Sequence, residues 1–306
     1  MIDFQSKILG DKVRNRAFFR ALKRVIREGE TTVADIGSGT GFLSFLALKL
    51  GAKKCYLYEH SEALELAKTI ARKNHLRHCH FIPFHSSEVR NPVKVDLVIS
   101  ETLGNFAYEE HIIENMEDAK RFLKPGGILI PQKLTQYVVP VTSPRIMREI
   151  DAWDRVGFGI DLQEAREIAL NNLYVQNIRK DDLLQGRDAI QIWDSVEFHR
   201  RNGSLRRGEV SWTLPQALSI YGFACFWDCE LVPGVHLSTS PFAARTHWEQ
   251  IFLPLPNSLE VRRGERVTLR ITSDTRHEIG LRVRWEVLRQ RGGRTLQRVS
   301  MDTRRG

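Results

Sequence analysis

The sequence predicts an α/β protein in which a parallel sheet covered by helices is followed by a second domain of antiparallel strands. Up to Pro131, short apolar strands alternate with helical segments, which is typical of a parallel sheet with crossover helices. Beyond Pro131, strand patterns follow one another with a single helical insertion, which favours antiparallel pairing. A length of 306 residues fits two domains, and we place them at 1–131 and 132–306.

The first half contains a regular succession of elements. A helix with one apolar stripe covers about residues 10–28 and precedes a short strand at 32–36. The glycine-rich segment 37–41 leads into a helix that stops at Gly51, a residue that commonly ends helices. The remaining predicted elements are strand 54–58, helix 62–74, strands 80–83 and 95–100, helix 112–122, a turn at 124–127 and strand 128–130.

The second half is predicted to consist of strands around an insertion at about 153–184. A helical run at 163–170 lies within this insertion. The apolar residues of the insertion include Trp153, Val156, Phe158, Ile168, Leu170 and Leu173. The predicted strands are 133–143, 189–198, 208–213, 217–232, 248–255, 266–272 and 280–290.

The composition excludes several classes of protein. No stretch reaches the roughly 18 apolar residues of a membrane-spanning helix, and the first residues lack a secretory signal pattern, so we expect a cytoplasmic protein. The four cysteines have no disulfide-framework or metal-site spacing, so we expect free thiols and no bound metal.

The formal net charge of +9 owes much to arginines at 262–305. These alternate with apolar residues as in a strand with one solvated face, and no aromatic-plus-basic motif indicates nucleic acid as a partner.

The glycine-rich segment between the first strand and the following helix is a candidate cofactor site. Ligands of parallel α/β folds bind beyond the carboxyl ends of the strands, and glycines let the backbone approach a ligand closely. The spacing is G-x-G-x-G rather than the G-x-G-x-x-G of dinucleotide binders. Glu59 ends the next strand, where a carboxylate can accept hydrogen bonds from both hydroxyls of a ribose. The candidate residues of the segment are Asp35, Gly37, Ser38, Gly39 and Gly41.

This arrangement resembles the class I S-adenosylmethionine-dependent methyltransferases, whose cofactor has ribose hydroxyls but no pyrophosphate. The resemblance implies that S-adenosyl-L-methionine is the cofactor and that the glycine-rich segment and Glu59 bind it. It also implies that Ser87 or Glu88, after the third strand, faces the adenine.

Two carboxylates, Glu101 and Glu110, lie nine residues apart in the segment that follows the fourth strand. A guanidinium keeps its proton in water because its pKa is above about 12, so it is a poor nucleophile. Carboxylates bind it through charge-assisted, often bidentate hydrogen bonds. Such binding concentrates positive charge on one side and leaves lone-pair density on the nitrogen that faces a methyl donor. Two carboxylates in one loop suit a guanidinium substrate, which is the substrate that the following family resemblance implies.

Together with Thr246-His247-Trp248, the segment resembles the protein arginine methyltransferase family, whose diagnostic features are a double-glutamate loop and a Thr-His-Trp loop. The order of elements is similar along nearly the whole chain. The resemblance implies a Rossmann-like parallel-sheet methyltransferase domain followed by an antiparallel β-barrel-like domain. It further implies that the insertion at 153–184 is a helical dimerisation arm, and hence that the protein is a homodimer.

The resemblance also assigns the two glutamates to the substrate. Glu101 and Glu110 would bind the guanidinium and would be the nearest acceptors for the proton that leaves it. Glu109 is only one position from Glu110, although the nine-residue spacing favours Glu110.

Four further residues receive roles from the resemblance. His247 would pair with Asp11 near the N-terminal helix, and both are candidate catalytic residues. Arg14 matches the residue that holds the carboxylate of the cofactor, and Trp248 is a candidate substrate-binding residue.

The chain departs from the family pattern at two places. The family usually carries an aromatic N-terminal helix, Tyr-Phe-x-x-Tyr, whereas Phe4 is the lone aromatic residue before Asp11 here. Thr102, Leu103 and Asn105 replace the tryptophan, methionine and aromatic residue that are common in the double-glutamate loop. These changes predict an altered pocket.

Three functions remain open from the sequence. The leading one is methylation of arginine in a protein or peptide, and its rival is methylation of free arginine or a small guanidine metabolite. A third is a non-catalytic S-adenosylmethionine-binding subunit, which the missing aromatic helix and the basic surface motivate. The presence of Glu101, Glu110 and His247 together favours an enzyme.

Overall fold

The chain folds into a five-stranded parallel sheet with helices, followed by two antiparallel sheets. The computed structural model describes residues 2–186 and 188–306, and side chains from residue 5 onwards, so the side chain of Phe4 lies outside the described part. The helices are α1 (Ile2–Gly10), α2 (Lys12–Val25), α3 (Phe42–Lys49), α4 (Ala63–Lys73), α5 (Ile112–Ala119), α6 (Arg145–Ile150) and α7 (Gln163–Leu170). Within this described part, none of the helices combines the length and apolar character needed to cross a membrane.

The parallel sheet has the strand order β3-β2-β1-β4-β5. Its strands are β1 (Thr32–Ile36), β2 (Lys54–Tyr58), β3 (Cys79–Ile82), β4 (Val95–Ser100) and β5 (Leu123–Ile130). Most side chains of β1 and β4 are buried, as expected for central strands covered on both faces. The strand order reverses at β1, whose neighbours are β2 and β4, and ligands of such sheets bind at this switch point.

The antiparallel strands form a six-stranded sheet and a four-stranded sheet. The strands are β6 (Lys133–Val141), β7 (Tyr174–Gln176), β8 (Gln191–Glu197), β9 (Leu205–Thr213), β10 (Leu218–Val232), β11 (Val235–Ser238), β12 (Gln250–Val261), β13 (Arg266–Asp274), β14 (Arg282–Arg291) and β15 (Arg294–Asp302). The two sheets approach each other at Gly208 of β9, where an added Cβ would lie 1.9 Å from the carbonyl oxygen of Trp193 on β8. A parallel-sheet half followed by a barrel-like antiparallel half confirms the predicted fold class.

Several elements differ from the predictions. The residues predicted as a turn at 124–127 lie within β5, where they form a bulge: the β4–β5 register shifts between Val95 and Leu97, and Gly126 adopts a φ of +77°. Helix α6 and strands β11 and β15 were not predicted. Most of β15 is exposed, so it lacks the alternation of apolar residues that marks a strand. The adjacent pair Gly292-Gly293, both with positive φ, is the hairpin signal that indicates it.

The arginines near the C-terminus pair with carboxylates across the four-stranded sheet. Arg270 binds Glu209 and Glu286, and Arg298 also binds Glu286. Such pairs are solvated and contribute little stability individually. They agree with the prediction of a strand face open to solvent.

Candidate active site

Three neighbouring strands end in register at one edge of the parallel sheet. Ile36 of β1 is paired with Tyr58 of β2 on one side and with Ser100 of β4 on the other. The residue that follows each strand therefore projects from the same edge, and these residues are Gly37, Glu59 and Glu101. All three line one cavity of about 310 Å³, called the central cavity below.

The glycine-rich turn contributes backbone to the central cavity. Gly37 and Gly39 line it with φ values of +70° and +53°, a region that favours glycine. Gly41 instead begins α3, and an added Cβ there would lie 2.6 Å from the ring of Phe45. Gly41 thus serves close packing of the helix, whereas Gly37 and Gly39 face the cavity.

Asp35 and Ser38 are not among the residues that line the central cavity. The carboxylate of Asp35 accepts hydrogen bonds from the backbone N–H and the hydroxyl of Ser44, at 3.2 and 2.7 Å. Burial raises the pKa of Asp35 to about 6, against the effect of these bonds. Asp35 therefore fixes α3 to the end of β1.

Glu59 is oriented by two backbone hydrogen bonds. Its Oε2 accepts from the N–H of Gly39 at 2.9 Å and its Oε1 from that of Ser61 at 2.8 Å. Each carboxylate oxygen can accept a further hydrogen bond. Glu59 is thus held at the cavity wall with capacity for ribose hydroxyls.

Ser86, rather than Ser87 or Glu88, lines the central cavity after β3. Its Oγ is buried and has no hydrogen-bond partner among the described residues. Ser87 and Glu88 are exposed and cap the short helical turn, where Oε2 of Glu88 accepts from the N–H of His85 at 3.1 Å. Ser86, and neither of the two predicted residues, reaches the cavity because the 3₁₀ turn at 86–88 directs successive side chains in different directions.

Glu101 and Glu110 both line the central cavity, from the two ends of the double-glutamate loop at 101–110. Oε1 of Glu101 and both carboxylate oxygens of Glu110 accept no hydrogen bond from the described residues, whereas Oε2 of Glu101 accepts from Arg14 at 2.8 Å. Surrounding protein, and then the negative charges of Glu101 and Glu109, raise the pKa of Glu110 to about 7. Solvent reaches Glu110 through the cavity mouth, since its side chain is exposed there.

Glu109 does not line the central cavity. Its Oε1 accepts from the N–H of Asn105 at 2.6 Å, and its side chain lies against Gly104, where an added Cβ would be 2.0 Å away. The structure therefore separates the two neighbouring glutamates, and it is Glu110 that faces Glu101.

The second half of the chain holds the double-glutamate loop through its backbone. The indole N–H of Trp248 donates to the carbonyl of Leu103 at 2.7 Å, and that of Trp227 donates to the carbonyl of Gly104 at 3.0 Å. Trp248 is buried and does not line the central cavity, so it positions the loop.

Asn115 of α5 closes the loop from the other side. Its amide donates to Thr102 Oγ1 at 3.0 Å and to the carbonyl of Glu110 at 3.2 Å. No local motif in the sequence marks Asn115; the signal for it is its position on the buried face of the helix that follows the loop.

Asp11 and His247 form a pair at the contact between the two halves. Oδ2 of Asp11 lies 2.8 Å from Nδ1 of His247 and accepts from the His247 backbone N–H at the same distance. Burial raises the pKa of Asp11, but hydrogen bonds from Arg14 and His247 outweigh it and hold the pKa below its usual value. The pair borders a neighbouring open cavity and not the central one.

Comparisons with known proteins cover both halves of the chain. Residues 132–289 match the family model described as the arginine methyltransferase oligomerization subdomain. Residues 16–132 match a model described as ribosomal protein L11 methyltransferase.

Similar proteins include protein arginine N-methyltransferase 1 of Dictyostelium discoideum, 31% identical over 271 residues that cover 86% of this chain and 79% of that protein. Histone-arginine methyltransferase CARMER of Drosophila persimilis is 28% identical over 280 residues, 87% of this chain. The chain spans about half of the length of the CARMER protein, 53%.

Solved structures share the fold along nearly the whole chain. A Trypanosoma brucei PRMT1 enzyme-prozyme heterotetrameric complex with AdoHcy has a TM-score of 0.85 at 22% identity, covering 98% of this chain and 96% of that one. Arabidopsis thaliana protein arginine methyltransferase 10 has a TM-score of 0.82 at 20% identity, covering 99% and 98%. With a family model spanning half of its residues and a relative more than 30% identical across most of its length, this chain belongs to the protein arginine methyltransferase family.

Proposed function

We propose that this chain transfers a methyl group from S-adenosyl-L-methionine to a guanidinium nitrogen of arginine in a protein or peptide. One observation carries the proposal: Glu101 and Glu110 line the same cavity as Gly37, Gly39 and Glu59. Cofactor-binding and guanidinium-binding groups thus meet in one space, as a direct transfer requires. We take residues 1–131 as the cofactor domain and 132–306 as the domain that completes the substrate site.

The central cavity fits the cofactor. Ser86 offers a buried hydroxyl that has no partner among the described residues, and Glu59 keeps acceptor capacity for a ribose. Gly37 and Gly39 expose backbone where a side chain would occupy the space. When bound, the cofactor supplies a sulfonium methyl group, which is electrophilic. Arg14 is the candidate for its carboxylate, and the negative charges of Glu101 and Glu110 favour a cation beside them.

The two glutamates bind and orient the guanidinium. Arg14 already illustrates the chemistry, because Nε and a terminal nitrogen of its guanidinium both donate to Oε2 of Glu101. Oε1 of Glu101 and the carboxylate of Glu110 remain to accept from a substrate guanidinium. Held from two sides, its remaining nitrogen keeps a fixed orientation. Asp11 and His247 act at the border of this site by fixing α2 to the Thr-His-Trp loop.

A pair of neighbouring variants tests the proposal. Glu110→Gln should lower methyl transfer to an arginine-containing peptide by 100-fold or more, because it removes a charge-assisted contact and a proton acceptor. Glu109→Gln keeps an acceptor for the N–H of Asn105 and should stay within a few-fold of the unmodified protein. Labelled S-adenosylmethionine measures transfer, and calorimetry checks that both variants bind the cofactor. Equal activity of Glu110→Gln and the unmodified protein would refute the assignment.

Two alternatives predict different results in the same assay. An enzyme for free arginine would label the amino acid and leave peptides unlabelled. A non-catalytic subunit would bind the cofactor and label no guanidine at all. Glu110, with its raised pKa and open carboxylate, favours the enzyme, since a mere binding subunit does not need a proton acceptor there.

We also propose a cytoplasmic homodimer formed through the insertion at 153–184. Phe158, Ile160 and Ile168 of this arm are 93%, 63% and 54% exposed, which is unusual for large apolar side chains in one segment. Phe19 of α2 and Leu66 of α4 are exposed apolar side chains in the cofactor domain that can receive the arm of a second copy. Four free cysteines support a reducing compartment.

A further inference from the structure

The central cavity contains a histidine that the proposed function has not used. His111 directly follows Glu110 in the chain, precedes α5 and lines the cavity with it. Its Nδ1 lies 3.9 Å from Oε2 of Glu114, one turn along the helix. This oxygen is buried and has no hydrogen-bond partner among the described residues, while Oε1 accepts from Thr275 Oγ1 at 2.7 Å. A buried carboxylate oxygen is therefore available to stabilise a charged imidazole.

The hydrogen bonding of His111 leaves one ring nitrogen free to accept a proton. Nδ1 lies 2.9 Å from the backbone carbonyl oxygen of Thr275. A carbonyl only accepts hydrogen bonds, so Nδ1 carries the hydrogen and Nε2 is the acceptor in the neutral ring. The side chain is 30% exposed, which gives it a direct path to solvent.

The backbone places His111 in a conformation that tertiary contacts must maintain. Its φ is +58°, in the left-handed region that few residues other than glycine, asparagine, aspartate and histidine adopt. Such conformations persist where the surrounding structure determines them. Thr275 and His277, from the loop between β13 and β14, hold the ring; the His277 ring lies 4.5 Å away, centroid to centroid.

His247 is less well placed for the same task. It borders the neighbouring cavity, and its Nδ1 is committed to Asp11. Arg14 lies next to Asp11, since its backbone N–H donates to Oδ1 of Asp11, and its side chain donates to Glu101, which lines the central cavity. His111, by contrast, lines the same cavity as Glu110 and directly follows it in the chain.

We propose that His111, supported by Glu114, carries the reaction proton from Glu110 to solvent. This inference rests on the proposed function. The substrate nitrogen gains a methyl group and loses one proton, so the guanidinium keeps its single positive charge and one proton must leave. Glu110 accepts that proton, Nε2 of His111 takes it from Glu110, and Glu114 stabilises the imidazolium until water removes it. His277 lies across from the ring, and the other titratable side chains that line the cavity are Tyr58, Glu59, His60, His85 and Glu101.

His111→Asn is the sharpest test. Asparagine tolerates the left-handed backbone, and its amide can still donate to the carbonyl of Thr275, but it cannot take up and release a proton as imidazole does. We expect kcat to fall 10-fold or more, with the KM for peptide and the Kd for S-adenosylmethionine unchanged. His111→Gly should lose as much activity and regain part of it when imidazole is added, in proportion to the neutral form of imidazole as pH varies. A merely structural role would not respond to imidazole. His199→Gln, an exposed histidine outside the cavity, is the control and should behave as the unmodified protein.

A readout independent of turnover is the nitrogen NMR spectrum of the His111 ring in the unliganded protein. In the neutral ring, Nδ1 should give the signal of a protonated nitrogen that donates to the carbonyl of Thr275, and Nε2 the signal of an unprotonated acceptor. If His111→Asn and His111→Gly keep full kcat between about pH 6 and pH 9, the proton path is wrong while the proposed function stands. If the unmodified protein labels no guanidine, the proposed function is wrong and the proton path falls with it.

Discussion

Arg14 holds Glu101 in place: Nε of its guanidinium lies 2.8 Å from Oε2 of Glu101, and a terminal nitrogen donates to the same oxygen. The two side chains are only 6% and 8% exposed. The contact joins the first turn of α2 to the loop after β4, across 87 residues of sequence. Any ligand that engages Arg14 therefore also affects the orientation of Glu101, the glutamate that we propose binds the substrate.

Arg14→Lys should weaken both cofactor binding and catalysis. Lysine keeps the charge but is a flexible point donor that lacks the planar guanidinium, so Glu101 loses its fixed orientation. We expect a roughly 10-fold weaker Kd for S-adenosylmethionine, by calorimetry, and a comparable loss of kcat. Arg20→Lys, on the exposed face of the same helix, is the control. Unchanged binding in Arg14→Lys would remove Arg14 from the cofactor site.

Glu110 predicts a specific pH dependence. Its pKa is raised to about 7, so the folded protein binds this proton more tightly than the unfolded chain does. The contribution of Glu110 to the free energy of unfolding is therefore fully present at low pH and is lost as the pH rises through 7. Activity needs the ionised carboxylate, so it rises over the same range. At pH 8 the free energy of unfolding of Glu110→Gln should exceed that of the unmodified protein by roughly 1 kcal/mol, a value kept small because solvent screens the charge of the carboxylate. The difference should vanish toward pH 4.5. Urea unfolding at the two pH values measures it; a constant difference would contradict the raised pKa.

Trp248→Phe tests the support of the double-glutamate loop. The change removes the donor to the carbonyl of Leu103, which should cost about 1–3 kcal/mol of unfolding free energy and lower kcat. Trp212→Phe is a matched control, since Trp212 donates at the same distance, 2.7 Å, to the carbonyl of Ala189 outside the cavity. We expect a similar loss of stability but normal kcat in Trp212→Phe. Equal kcat in the two variants would show that the loop does not depend on Trp248.

The arm predicts the oligomeric state. Replacing Phe158 and Ile168 with serine should convert a dimer into monomers, because both are exposed apolar side chains with nothing else to bury them in one subunit. Light scattering at micromolar concentration measures the mass. Phe242→Ser, which changes another exposed phenylalanine, should leave the mass unchanged. A monomer already in the unmodified protein would refute the homodimer.

The sequence predicted most of the parallel sheet, because the alternation of apolar with polar residues and the runs of apolar residues indicate which side chains are buried. Strand β15 was not predicted, because an edge strand with mostly exposed side chains shows no alternation of apolar residues. Its position follows from the hairpin at Gly292-Gly293 and from its pairing with β14. The residues predicted as a turn at 124–127 form an irregular part of β5, because Leu123 and Ile128 pair with Val95 and Leu97 and the four residues between them have no partner in the β4 register.

For the site, the sequence by itself determined which residue types follow each strand: Gly37 after β1, Glu59 after β2 and Glu101 after β4. Parallel pairing then requires that they meet at one edge. Only the tertiary structure decided between Glu109 and Glu110, moved the adenine-side candidate from Ser87 to Ser86, and brought His111 to Thr275 across 164 residues. The physical reason is that side-chain direction in a loop depends on which distant groups accept and donate its hydrogen bonds, and local sequence does not contain those partners.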